Sequence, residues 1–167
     1  MSVEQHRAQS PAKVNCFVLT VSDTRTLATE TSGRTIAGLL EDAGHAVLGR
    51  NVVRDEPQDV AAAIREEIGR GRVHVIITTG GTGIARRDST YEAVASLFDK
   101  RIEGFGELFR MLSFREIGSA AMLSRATAGI AAGCAVFMLP GSEAAVRLAM
   151  QKLILPELGH VVSELMK

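Results

Sequence analysis

Val73-His74-Val75-Ile76-Ile77-Thr78-Thr79-Gly80-Gly81-Thr82-Gly83 runs from β-branched apolar residues straight into a glycine turn. The apolar half suits a strand buried on both faces of a parallel sheet. Arg86-Arg87-Asp88 follows, and Ser89-Thr90-Tyr91-Glu92 reads as a capping box, with Ser89 accepting from a helix N–H and Glu92 reaching back. In an open α/β sheet, ligands sit beyond the carboxyl ends of the strands, near helix N-termini. Glycines in such a turn bring bare N–H groups close to an anion. The stretch therefore predicts strand, turn and helix, with a phosphate-handling loop and a carboxylate beside it.

The flanking segments repeat the theme. Cys16–Val21 is a second two-sided strand, ended by Ser22-Asp23 and a polar loop that reaches Ser32-Gly33. Ile36, Leu39, Leu40 and Ala43 then form one helical stripe, closed by Gly44. Ala46–Val53 is a less apolar strand that belongs near an edge, and Pro57 opens a helix whose core side is Val60, Ile64 and Ile68. The order βαβαβ predicts a parallel sheet with right-handed crossovers.

Beyond the loop, one helix is expected over Thr90–Phe98 and another from Glu103, carrying Phe105, Leu108, Phe109 and Leu112. Thr127–Ala131 and Ala135–Leu139 read as a hairpin turning on Ala132-Gly133-Cys134. A helix over Glu143–Leu155 should be broken by Pro156, with a last amphipathic helix after it. The fold class expected is a three-layer α/β/α domain over 13–167. Its sheet is mostly parallel, with a short β-hairpin before the C-terminal helices, and residues 1–12 form a flexible arm.

Bulk properties narrow the function. With 19 basic and 19 acidic side chains there is no charge footprint for nonspecific nucleic-acid or membrane binding. The lack of Trp and the single Tyr argue against a base-stacking platform. Cys16 and Cys134 lie in apolar runs and read as buried free thiols. His6, His45, His74 and His160 are scattered, with no metal or catalytic spacing among them. No segment reads as a secretory signal or a bilayer span, so a cytoplasmic protein is expected.

Parallel strands would bring Ser22-Asp23, Asp55, Gly80–Asp88 and Pro140-Gly141-Ser142 to one rim. The glycine loop is neither a P-loop, since no Lys-Ser/Thr follows it, nor a dinucleotide fingerprint. Asp88 is either a helix cap or, if Ser89 and Glu92 cap that helix, a carboxylate free to face the pocket. Asp55 divides in the same way, between capping the Pro57 helix and joining the site. Asp23 reads as an Asx-turn residue or a site residue. Arg86 and Arg87 suit phosphate oxygens, although adjacent arginines point apart. Ser113 reads locally as part of a polar helix end.

Taken in order, LTVSDT (19–24), TTGGTG with RRDST (78–90), EGFGELFRMLSF (103–114), LSRATAG (123–129) and LPGS (139–142) resemble the MoaB/MogA family of molybdenum cofactor biosynthesis, closer to the MoaB branch. The resemblance implies a molybdopterin adenylyltransferase: AMP passes from Mg-ATP to the terminal phosphate of molybdopterin and pyrophosphate leaves. It assigns catalysis and Mg²⁺ to Asp55 and Asp88. Gly80, Gly81, Thr82, Gly83, Pro140, Gly141 and Ser142 are implied to bind nucleotide, and Ser22, Asp23 and Ser113 to line the pterin and phosphate side. It also implies a homo-oligomer, trimer or hexamer, and a partner in the metal-insertion protein of the same pathway. Arg54, Tyr91 and Ser142 depart from the usual Pro, Pro and Asn of the family. The alternatives are a molybdopterin-binding paralogue without turnover and a nucleotide pyrophosphatase.

Overall fold

The computed structural model describes residues 1–167. Six strands, β1 (Asn15–Val21), β2 (Ala46–Val53), β3 (Val75–Thr79), β4 (Lys100–Arg101), β5 (Thr127–Ala131) and β6 (Cys134–Leu139), form one sheet in the order β2-β1-β3-β6-β5-β4. The first four in that order are mutually parallel, while β5 and β4 run antiparallel to their neighbours. β2 is an edge strand, as its mixed pattern predicts. β3 extends to Thr79, because Thr78 and Thr79 pair with Met138 and Leu139 of β6.

Alternation along the strands divides the interior into two cores. Val18, Ile77 and Phe137 face one side, under α2 (Ser32–Asp42), α5 (Glu103–Ile117), α6 (Glu143–Ala149) and α7 (Leu155–Leu165). Leu19, Ile76 and Met138 face the other, under α3 (Pro57–Gly69) and α4 (Thr90–Ala95). The three-layer architecture is as expected.

Several local expectations change. Pro156 does not break the C-terminal helix: α6 passes through a π-helical turn, Met150–Ile154, directly into α7. Proline lacks the N–H for an i→i−4 bond and its ring crowds the preceding turn, and the wider π turn absorbs both defects. α4 stops at Ala95, and the short strand β4 takes up the chain after it. The first residues contain a helix, α1 (Val3–Ala8), with Ser2 and Gln5 forming a capping box. It packs against α7 through the Arg7–Glu157 ion pair and His6 stacked on His160.

The β5–β6 hairpin turns on two residues, because β6 already begins at Cys134. Ala132 has φ 47° and Gly133 φ 79°, the pattern of a type I′ turn. Asn tolerates that left-handed position better than Ala. Ala132→Asn is therefore expected to stabilise the fold by about 0.5–1 kcal/mol. A urea-unfolding midpoint that failed to rise would contradict this account of the turn.

Candidate functional site

The loops after β1, β2, β3 and β6 meet at one rim, as parallel strands require. The chain leaves β1 for β2 on one side and returns to β3 on the other, so the topological switch lies between β1 and β3. Gly80 sits there. Its φ is +94°, and a Cβ added to it would lie 2.3 Å from the Val21 carbonyl oxygen. Its N–H donates to Leu139 O at 3.0 Å, tying the glycine turn to the end of β6.

On the α2 side of this switch lies a polar cleft of about 240 Å³, and Val21 is the one apolar residue lining it. Ser22, Arg25, Glu30, Ser32, Thr79 and Gly141 contribute to its wall. Glu30 is 2% exposed and heavily engaged: it accepts from Thr20 Oγ1, from the Gly33 N–H and from Arg50. Ser22 Oγ accepts from the N–H groups of Thr24 and Arg25, which shapes the loop after β1. Ser32 donates to Gly141 O at 2.7 Å and Thr79 to Pro140 O at 2.9 Å. Ser142 Oγ accepts from the Ala145 N–H and caps α6.

On the α4 side a second cluster forms. Thr90 Oγ1 donates to Asp55 Oδ1 at 2.8 Å, and Thr90 itself is fully buried. The Asp55 N–H donates to Asp23 Oδ1 at 3.0 Å, while Arg87 holds Asp23 Oδ2 at 2.7 Å. Asp55 is thus locked onto the first residue of α4. It does not cap α3, whose N-cap is Glu56. Arg87 is paired, whereas Arg86 is exposed and makes no hydrogen bond to the protein.

The expected capping box at the start of α4 does not form. Ser89 makes no side-chain cap, and Glu92 turns to Arg125 instead. Asp88 has a local task after all. Its Oδ2 accepts from the Ala85 N–H at 2.7 Å, and its carboxylate lies against the bare Cα of Gly83. The reason is a stronger partner for Glu92. Desolvation pushes its carboxyl upward, but hydrogen bonds from Arg125 and the backbone, with the arginine's charge, hold it below the usual carboxylate range.

Arg125 is the residue that local reading missed. Its guanidinium donates to three carbonyls of the glycine loop: Thr82 O at 3.4 Å, Asp88 O at 3.2 Å, and Gly83 O. It also pairs with Glu92 and lies 4.7 Å from the Tyr91 ring centroid. A planar fork with five donors can serve several carbonyls at once, which lysine cannot. The only sequence signal was its place in the LSRATAG run, far from the loop along the chain.

Ser113 lies elsewhere. It is 7% exposed within α5, a helix that contributes nothing to the cleft. Cys16 and Cys134 are buried, and burial pushes both thiols to about 12, so neither is a nucleophile here.

With this geometry in view, the model of a family described as "Probable molybdopterin binding domain" matches residues 17–160. The chain belongs to the MoaB/MogA family of molybdenum cofactor biosynthesis proteins. It is 52% identical to molybdenum cofactor biosynthesis protein B of Halalkalibacterium halodurans, over 100% of this chain and 99% of that one. The Bacillus subtilis protein of the same name is 49% identical, with the same coverage. Among solved structures, the tungsten cofactor synthesizing protein MoaB from Pyrococcus furiosus is 37% identical with a TM-score of 0.86, over 95% of this chain and 100% of that one. In MoaB/MogA terms, the motif LTVSDT spans the end of β1 and the Ser22-Asp23 corner, and TTGGTG spans the end of β3 and the turn at the topological switch. No helix is long and apolar enough to cross a membrane.

Proposed function

We propose that this protein catalyses Mg-ATP-dependent adenylylation of molybdopterin. An oxygen of the terminal phosphate attacks the α-phosphorus of ATP, the bond to the β-phosphate breaks, and pyrophosphate leaves. One observation carries the reading: two half-engaged carboxylates accompany a tightly held glycine loop. Asp55 uses Oδ1 for Thr90 and Asp88 uses Oδ2 for the Ala85 N–H, and the other oxygen of each accepts no protein hydrogen bond. Oxygen donors of this kind suit Mg²⁺, so Asp55 and Asp88 would hold it. When bound, the ion neutralises charge on phosphate oxygens.

The remaining work is positioning, which is what phosphoryl-type transfer chiefly needs. Gly80–Gly83 and Pro140–Ser142 would take the nucleotide, with Gly141 at the border of the α2-side cleft, and the exposed guanidinium of Arg86 would meet phosphate oxygens. Ser22 and the rest of the α2-side cleft would take the phosphorylated pterin. Asp23, paired on both oxygens, acts by holding Asp55 and Arg87 in place. The attacking phosphate is already anionic at neutral pH and needs no general base. Ser113 is left out of this assignment because of its burial in α5.

Incubation with molybdopterin, ATP and Mg²⁺ should give adenylylated pterin and pyrophosphate. Asn at position 55 or 88 keeps an acceptor for Thr90 or the Ala85 N–H and removes only the charge. Asp55→Asn and Asp88→Asn should each cost at least about a hundredfold in rate. Equal rates for wild type and Asp88→Asn would end the assignment. Pterin binding without an ATP-dependent product would favour the non-catalytic reading, and nucleoside monophosphate release without pterin would favour a pyrophosphatase. Self-association into a trimer or hexamer is supported by an exposed apolar face on α5 and the 3-10 turn after it, where Leu108, Met111, Phe114, Ile117 and Met122 lie open.

A further inference from the structure

We propose that His6, His160 and Glu164 form a transition-metal site that fastens the N-terminal helix to the C-terminal one. These residues are remote from the rim, and sequence spacing conceals the site because its two histidines come from opposite ends of the chain. His160 and Glu164, one helical turn apart on α7, share a face, and α1 lays His6 over them. One ligand atom from each lies within 4.8 Å of the other two. His6 Nδ1 is 3.6 Å and His160 Nε2 3.7 Å from the same oxygen, Glu164 Oε1. Ligands about 2.0–2.1 Å from a tetrahedral zinc ion stand about 3.3 Å from one another. The cluster is therefore a few tenths of an ångström too wide on the two edges that meet at Glu164, and the edge between the histidines, at most 4.8 Å, must also shorten. Rotations of partly exposed side chains can close that.

A second, independent feature marks His160 as a ligand. Its Nδ1 is 2.9 Å from Glu157 Oε2. A carboxylate only accepts, so Nδ1 carries the hydrogen and Nε2, 3.7 Å from Glu164 Oε1, keeps its lone pair. Metal-bound histidines almost always have such an outer carboxylate, which sets the tautomer and raises the basicity of the ligating nitrogen. Glu157 is itself paired with Arg7 of α1, so the same two helices build both shells.

The surroundings fit an ion that can enter. Both imidazoles are 24% exposed and stack with centroids 5.5 Å apart. A divalent ion would displace the Lys167 ammonium, which lies 2.5 Å from Glu164 Oε1. At Gly159 a Cβ would come within 2.9 Å of Pro11 O, so glycine there allows the N-terminal segment to lie close on α7. Two imidazoles and one carboxylate, with a fourth position for water, select Zn²⁺, Co²⁺, Ni²⁺ or Cu²⁺ rather than Mg²⁺ or Ca²⁺.

Calorimetric titration of the full chain with zinc chloride at near-neutral pH tests the site. One ion should bind per chain, and hydrogen exchange of the Val3–Ala8 amides should slow when it does. His6→Ala and His160→Ala should each weaken binding at least about tenfold, and Glu157→Gln, which touches only the outer shell, by about tenfold. Cobalt-loaded protein should show d–d bands that His160→Ala abolishes. Zinc binding that survives both histidine substitutions, or no binding up to millimolar zinc, would overturn the proposal. So would zinc binding that leaves exchange of the α1 amides unchanged.

Discussion

Gly80→Ala should cost about 2–5 kcal/mol of stability, a large part of what holds a domain of this size together. Two effects add. At φ +94° any residue with a Cβ is strained, which contributes about 1–3 kcal/mol. The Cβ would also lie 2.3 Å from Val21 O, a backbone atom of β1, which is hydrogen-bonded between β2 and β3 and cannot swing aside. Retreat in the other direction breaks the bond from the Gly80 N–H to Leu139 O. Gly81→Ala carries the same left-handed strain at φ +72° but meets side-chain atoms of Thr90 and Val21 no closer than 2.9 Å instead of a strand carbonyl at 2.3 Å, so it should be milder, at about 1–3 kcal/mol. Urea unfolding of both variants measures the difference. A Gly80→Ala protein within about 0.5 kcal/mol of wild type would mean that the turn does not need its left-handed geometry.

Arg125→Ala should loosen the glycine loop while leaving the sheet in place. The guanidinium is 24% exposed and serves the carbonyls of Thr82, Gly83 and Asp88 together with Glu92. Charge-assisted hydrogen bonds at a partly buried site contribute about 1.5–3 kcal/mol. The loop closes on itself otherwise only through Asp88 and Ala85. Amide exchange across residues 82–88 should therefore accelerate at least tenfold, with a loss of about 2 kcal/mol in global stability. Arg125→Lys should recover little of either, since a point charge cannot span three carbonyls. If the Ala variant exchanged these amides at the wild-type rate, Arg125 would not be the clamp of the loop. Under the proposed reaction the same variant should lose turnover more than pterin binding, because the carbonyls it holds belong to the nucleotide side.

Legibility differed between short-range and long-range features for a physical reason. The β-branched runs Val73–Ile77 and Cys16–Val21, the stripe Ile36–Leu40 and the Pro57 helix start are dictated by periodicity within a few residues; the elements form there, with the first run shifted by two residues to Val75–Thr79 and the second begun at Asn15. The departures arose wherever a residue had two partners to choose from. Glu92 could serve its own helix end or a distant guanidinium, and the charged partner wins. Asp88, released from one expected task, was taken by the Ala85 N–H. Asp55 chose Thr90 over the helix beginning at Pro57. Pro156 was read as a stop because a local rule cannot anticipate a π turn stabilised by the burial of Met150 and Ile154.

The sequence by itself determined the layered α/β fold, the family, and the gathering of four strand-end loops at one rim, since parallel pairing follows from the order and burial of the strands. Only the tertiary structure decided how the rim's charges pair, Asp23 with Arg87, Glu30 with Arg50 and Arg125 across the loop carbonyls, and, away from the rim, that His6 stacks on His160. Hydrophobic burial is written in local patterns. A hydrogen bond or ion pair goes to whichever competent partner the folded chain brings within about 3 Å, and that choice is made only once the sheet has closed.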